Sequence, residues 1–119
     1  MTFTEASYTV CTADLRRHSL QLFWQRPDGT PYAFLSALPK AAGERPGPLL
    51  AAMNAGMYDP AYKPVGLYIE GGREHVRAST GGGYGNFHLR PNGILWAGAG
   101  KAGVLETSAF LKARPAAEI

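Results

Sequence analysis

The apolar positions of this chain fall into short runs broken by turn residues, and the runs alternate more often at period two than at the helical period. Residues 8–12 (Tyr-Thr-Val-Cys-Thr) and 20–24 (Leu-Gln-Leu-Phe-Trp) are rich in β-formers and predict two early strands. Between the second of these and Tyr32 lies Arg26-Pro27-Asp28-Gly29-Thr30-Pro31, with Pro, Asp and Gly where a tight turn needs them. Phe34, Leu35 and Leu38 then recur at helical spacing ahead of Pro39, which predicts a short helix. Residues 41–48 are rich in breakers and read as a loop.

The second half begins with Leu49-Leu50-Ala51-Ala52-Met53, a continuous apolar run that predicts a strand buried on both faces and delivering Asn54 to the edge of the core. Residues 67–70 and 74–77 flank Gly71-Gly72 as the arms of a hairpin. A second hairpin is expected from residues 87–90 and 94–96 about Pro91-Asn92-Gly93. Its alternation would place Phe87 and Leu89 on one face and His88 and Arg90 on the other. Residues 106–112 predict a short helix that carries Phe110 and Leu111, with Thr107 or Ser108 as its N-cap. The expected fold is α+β, with a mostly antiparallel or mixed sheet, short helices and one core.

Against that pattern, residues 52–93 place polar and glycine residues where a plain strand would carry Val or Ile. Three signatures stand close together: Ala52-Met53-Asn54-Ala55-Gly56-Met57-Tyr58, Pro64-Val65-Gly66-Leu67-Tyr68, and Gly85-Asn86-Phe87-His88-Leu89-Arg90-Pro91-Asn92-Gly93. An Asn leaving a buried strand offers both donor and acceptor, and Gly56 lets the backbone approach a ligand without a Cβ in the way. The same two residues would also serve a simple turn. Gly81-Gly82-Gly83 is not a nucleotide-binding loop, because no Lys-Ser or Lys-Thr follows and a strand comes next. It reads either as a flexible connector or as a small anion nest assisted by Arg77 or Arg90.

Composition narrows the classes. The chain has 119 residues, 45% of them hydrophobic, enough for one domain with a core. Its formal net charge of +3 comes from scattered Lys and Arg, with no basic stripe of the kind that tracks nucleic acid. Cys11 is single, which excludes an internal disulfide and a thiolate zinc cluster, and its apolar surroundings predict a buried small hydrophobe. No stretch approaches membrane-spanning length, and the opening residues show neither the basic nor the apolar region of an export signal.

Paired carboxylates are the ordinary equipment of glycoside hydrolysis. Asp59, Glu70 and Glu74 are the nearest to the signatures, and each is expected as a solvated turn or edge charge. His75 and His88 lack the short spacing of a helical zinc site, so no metal ligands are assigned and the cofactor requirement is unknown. No Ser stands in a Gly-x-Ser-x-Gly elbow.

The ordered set Met-Asn-Ala-Gly-Met-Tyr, Pro-Val-Gly-Leu-Tyr, Gly-Asn-Phe and Pro-Asn-Gly, with an early Tyr-Thr-Val-Cys strand and an Asp-Gly turn, resembles the bacterial phosphodiester glycosidase family. That family is related to the catalytic domain of N-acetylglucosamine-1-phosphodiester alpha-N-acetylglucosaminidase. The resemblance runs from about Thr2 to Leu111. It implies hydrolysis of the bond between a sugar's anomeric carbon and a bridging phosphate, with a glycosyl phosphodiester or sugar phosphate as the small-molecule partner. Asn54 and Arg90 are the expected catalytic residues, Arg90 as a planar cation for the phosphate. Gly56, Tyr58, Gly66, Gly85, Asn86 and Asn92 are the expected substrate-binding residues. Periplasmic or secreted location is implied by the same resemblance.

The later Gln-Ser-Gly-Pro and Leu-Asp-Gly segments of that family are not in this sequence, so the chain resembles its N-terminal half and reads as an incomplete domain. Two expectations follow: little or no hydrolysis by the chain alone, and an exposed strand edge or apolar face. The alternatives are a non-catalytic carbohydrate- or anion-binding module and a remnant that self-associates through that edge.

Overall fold

Among the described residues, strand pairing organises three separate two-stranded antiparallel ladders. A computed structural model describes residues 2–3, 6–39 and 48–119. Strand β1 (Thr2–Phe3) pairs with β2 (Ala6–Ser7), β3 (Tyr68–Glu70) with β4 (Arg73–Val76), and β5 (Gly93–Gly98) with β6 (Lys101–Glu106). Helix α1 (Thr107–Ala113) follows β6 directly, and two single 3-10 turns span Leu35–Ala37 and Asn86–His88. The class is therefore α+β with antiparallel pairing throughout the described ladders.

The first hairpin is where its glycines put it. Gly71 and Gly72 both hold positive φ, +58° and +76°, which two successive residues with Cβ atoms would resist. The second hairpin lies elsewhere than expected. It turns at Ala99-Gly100, with φ of +50° and +72°, and it pairs β5 with β6 from Gly93↔Glu106 to Gly98↔Lys101. Residues 87–90 are not its first arm, because Asn86–His88 closes a 3-10 turn. Phe87/Leu89 and His88/Arg90 accordingly do not alternate across a sheet.

Other early strands are also corrected. Residues 8–12 and 20–24 form no ladder, and only the isolated bridge Gln25↔Pro31 closes the turn beyond them. That turn is real: Gly29 has φ +84°, and Asp28 accepts from the Thr30 N–H at 2.9 Å and the Thr30 hydroxyl at 2.7 Å. Residues 49–53 are neither strand nor buried, with Leu50 71% and Met53 79% exposed. Cys11 is exposed as well, not buried. The helix expected over 32–38 is the 3-10 turn at Leu35–Ala37, which buries Leu38 and leaves Phe34 in solvent. The loop reading of residues 41–48 falls almost wholly outside the described residues.

The N-cap of α1 is Glu106, not Thr107 or Ser108. Its carboxylate accepts from the N–H groups of Ser108 (2.9 Å) and Ala109 (3.2 Å) and from the Ser108 hydroxyl. The Ser108 hydroxyl is the main reason the Glu106 carboxyl is held below its ordinary value of 4.5, with the backbone donors and the charge of Arg90 adding to it and desolvation opposing. A carboxylate whose pKa is depressed by folding stabilises the fold above the ordinary value. That contribution is lost as pH falls through the depressed one. Asp14, held down by Arg16, and Asp28, held down by Thr30, act with the same sign. Comparing urea midpoints of wild type and Glu106→Gln between neutral pH and pH 3 isolates the cap. The two are expected to converge in acid and to separate as Glu106 ionises.

The core is small. Leu38, Tyr68, Ala97 and Phe110 are its buried apolar side chains, joined by buried Thr107. Trp24 reaches the first hairpin through edge contacts with Tyr68 (5.6 Å between ring centroids) and His75 (6.5 Å). At the second hairpin, residues 117–119 lie along the free edge of β5, where Ala97 donates to the Ile119 carbonyl and accepts from Glu118 and Ile119. Gly98 has no room for a side chain there, since a Cβ would overlap the Ala116 carbonyl oxygen. The chain exposes 9297 Å², against roughly 6,200 Å² for a folded monomer of its mass. Its radius of gyration is 15.5 Å, against about 13.5 Å for a compact domain of this length. Leu95 and Val104, paired across the second hairpin, illustrate the excess at 64% and 70% exposed.

Candidate functional site

Two segments about thirty residues apart in sequence form the walls of one groove of about 450 Å³. One wall is the start of a tight turn. Tyr58 bridges Pro64, the Asp59 N–H donates to the Lys63 carbonyl at 2.9 Å, and the Val65 N–H donates to the Met57 carbonyl at 3.1 Å. Asp59 fastens this turn by accepting from the Ala61 and Lys63 N–H groups at 2.8 and 3.0 Å. The groove side of this wall presents Asn54, Gly56 and Tyr58.

The opposite wall is the 3-10 turn at Asn86–His88. Gly85 enters it at φ +89°, a conformation costly for any residue with a Cβ, and its carbonyl accepts from the His88 N–H at 3.1 Å. Gly85, Asn86, Phe87 and His88 face the groove. Gly66 meets the second wall at Phe87: a Cβ there would come within 2.8 Å of the Phe87 ring, so only glycine lets that ring settle.

Five sequence-predicted residues thus meet in one place: Asn54, Gly56, Tyr58, Gly85 and Asn86. Gly66 supports them without lining the groove. Arg90 is not part of the lining; its guanidinium donates to the Thr80 carbonyl at 2.5 Å. Asn92 is also outside the lining and works as a clasp. Its side-chain oxygen accepts from the Thr107 hydroxyl at 2.7 Å, its carbonyl accepts from the Thr107 N–H at 3.1 Å, and its amide donates to the Phe87 carbonyl at 3.4 Å. Through Asn92 the groove wall is tied to the start of α1. Because Thr107 is buried, Asn92→Ala is expected to cost about 1–2 kcal/mol, read as a lower urea midpoint. Asn92→Asp, which keeps the acceptor, should lose less.

Among the described residues the lining contains no Asp, Glu, Lys or Arg, and it includes the His88 imidazole. Asp59 is committed to its turn, Glu70 accepts from the Tyr68 hydroxyl at 3.1 Å, and Glu74 faces Arg77 at 3.9 Å on the surface. His75 packs on Trp24 and Tyr68 and His88 on Phe87, so the two imidazoles serve different places. Among the described residues no helix is long and apolar enough to cross a membrane. The Gly81–Gly83 run works as packing surface: the His88 ring lies against Gly83, and His88 Nδ1 is 3.4 Å from the Gly81 carbonyl oxygen. Sequence reasoning missed His88 and Phe87 as lining residues. It had placed them on a strand, and the 3-10 turn turns them into the groove.

No family model matches the chain, and no solved structure matches it. Among curated proteins it is similar to an uncharacterized protein of Escherichia coli (strain K12), YigE. The two are 35% identical over 109 residues, which cover 92% of this chain and 41% of YigE. The chain therefore spans less than half the length of that relative.

Proposed function

We propose that this chain supplies the sugar-binding side of a phosphodiester glycosidase, an enzyme that hydrolyses the bond between an anomeric carbon and a bridging phosphate. The observation that carries the reading is the convergence of Asn54, Gly56, Tyr58, Gly85 and Asn86 on one groove from two distant segments. Side-chain amides both donate and accept, which matches the mixed demands of sugar hydroxyls. Arg90, two residues beyond His88, is the proposed phosphate cation, released from the Thr80 carbonyl when an anion offers two oxygens to its planar fork. A phosphate monoester is a good leaving group, so the reaction places small demand on a general acid. No carboxylate lines the groove among the described residues, so a carboxylate nucleophile would come from outside this lining, with His88 a lining group able to move a proton. The excess exposed surface and the 41% coverage of YigE both favour a site completed by further polypeptide.

The reading is tested by incubating a glucose 1-phosphodiester with the chain alone and with the chain fused to the unmatched part of YigE. Sugar release by the fusion and none by the chain alone is the expected result. No release by either contradicts the enzyme reading. One observation favours a second reading: Leu95 and Val104 present an apolar pair at the surface of the second hairpin, as a self-associating or binding module would. A concentration-dependent dimer that Leu95→Lys disperses, with no turnover in the fusion, would favour it.

A further inference from the structure

Beside the groove stands a strip of aromatic side chains held out by unfavourable backbone. Tyr62 has φ +60°, and so does Ala33, the residue that precedes Phe34. Residues with a Cβ rarely adopt this left-handed conformation, and Gly or Asn would hold it at lower cost. Both strained positions deliver a ring to the same patch. Phe34 is 68% and Tyr62 37% exposed, with ring centroids 6.4 Å apart. Tyr62 in turn stacks on Tyr58 at 5.9 Å with 23° between the ring planes, and Tyr58 lines the groove. Folding gains little from rings left in water, so strain spent on exposing them points to a ligand.

The chemistry of that ligand follows from the two surfaces. The strip offers flat aromatic faces, and the adjoining groove offers the amides of Asn54 and Asn86 and the His88 imidazole, with no Lys, Arg, Asp or Glu among the described lining residues. A pyranose ring is complementary to both. Its C–H face carries slight positive charge that suits the negative face of an aromatic ring, and its edge carries hydroxyls that suit amides. A phosphate, by contrast, would find neither Lys nor Arg in this lining, only the His88 imidazole. We propose that Phe34, Tyr62 and Tyr58 with the adjoining groove form a subsite for an uncharged sugar ring, and that any phosphate on the ligand sits outside it. The proposal rests on the carbohydrate reading above, but it concerns binding and needs no turnover.

The test is saturation-transfer NMR on the purified 119-residue chain with methyl α-D-glucopyranoside, methyl N-acetyl-α-D-glucosaminide and α-D-glucose 1-phosphate, each at low and high salt. At least one neutral glycoside is expected to bind about as well as the phosphate ester, with little dependence on salt. Tyr62→Gly separates ring from fold. It relieves the positive φ, which offsets part of the packing lost with the ring, so a cooperative melt should persist while affinity for the glycoside falls by about tenfold or more. Tyr62→Phe should retain binding. Binding of the phosphate ester alone, binding by Tyr62→Gly equal to wild type, or no binding of any glycoside would each overturn the subsite. Phosphate-only binding would leave the phosphodiester reading standing, whereas neutral-sugar binding without turnover in the fusion would remove that reading and leave the subsite.

Discussion

Phe110→Ala is expected to abolish the cooperative unfolding of this chain. Phe110 is 5% exposed, the deepest of the four apolar side chains buried among the described residues, and it anchors α1 to the second hairpin. Truncating a buried Phe to Ala costs about 3–5 kcal/mol, from lost transfer energy and from the cavity left behind. A single domain is stabilised by only about 5–15 kcal/mol, and one with so few buried side chains lies toward the lower end. Urea titration followed by Trp24 and Trp96 fluorescence reads the result. The wild-type chain should show a transition and Phe110→Ala little or none, while Phe110→Leu, which keeps most of the volume, should show a shifted one. A Phe110→Ala midpoint close to wild type would mean that α1 does not pack as described.

The largest effect on activity is expected from Asn54→Ala, assayed in the fusion with the unmatched part of YigE. Asn54 faces the groove across from Asn86, and each amide left unmade on a bound sugar costs about 1–3 kcal/mol. That converts to a fall of about 5- to 150-fold in kcat/KM. Asn86→Ala should fall in the same range, and Asn54→Asp should recover less than half of the loss in free-energy terms, because it restores an acceptor without the donors. Unchanged turnover in Asn54→Ala together with Arg90→Ala would contradict the role given to this face of the molecule.

Where the sequence was legible, the backbone left few choices. Gly71, Gly72 and Gly29 specify turns because only residues tolerant of positive φ fit there, with Asp28 adding a side-chain acceptor for Thr30, and both turns are present. The helix expected to carry Phe110 is present, although its cap is Glu106 and not the Thr107 or Ser108 on which the expectation rested. Propensity misled where no partner strand existed. Residues 8–12, 20–24 and 49–53 have β-rich or apolar composition, but a strand needs a ladder, and these segments find none among the described residues, even though Trp24 packs on Tyr68. The second hairpin was misplaced because Ala99 accepts φ +50° without any turn signature, whereas Pro91-Asn92-Gly93 carries one and serves a different corner. Glu106 was missed as a cap because a Thr and a Ser follow it.

The candidate site was partly legible for the same reason. Asn54-Ala55-Gly56 and Gly85-Asn86 are polar and glycine residues at breaks in the hydrophobic pattern, and the fold brings them to one groove. Asn92 had the same appearance, yet its side chain is occupied by Thr107. Residue type shows that a position is unusual, not whether its polar group faces ligand or chain. Tyr62 left no signal at all, since neither its φ nor its stacking on Tyr58 can be read from composition or period.

The most direct measurement is hydrolysis of a glucose 1-phosphodiester in oxygen-18 water by the fusion of this chain with the unmatched part of YigE. Cleavage between the anomeric carbon and oxygen puts the label on the anomeric hydroxyl of the released sugar and none on the phosphate, which is the result expected here. Label on phosphorus would show a phosphodiesterase acting at the P–O bond, and absence of turnover would show no hydrolase on this substrate; either contradicts the account.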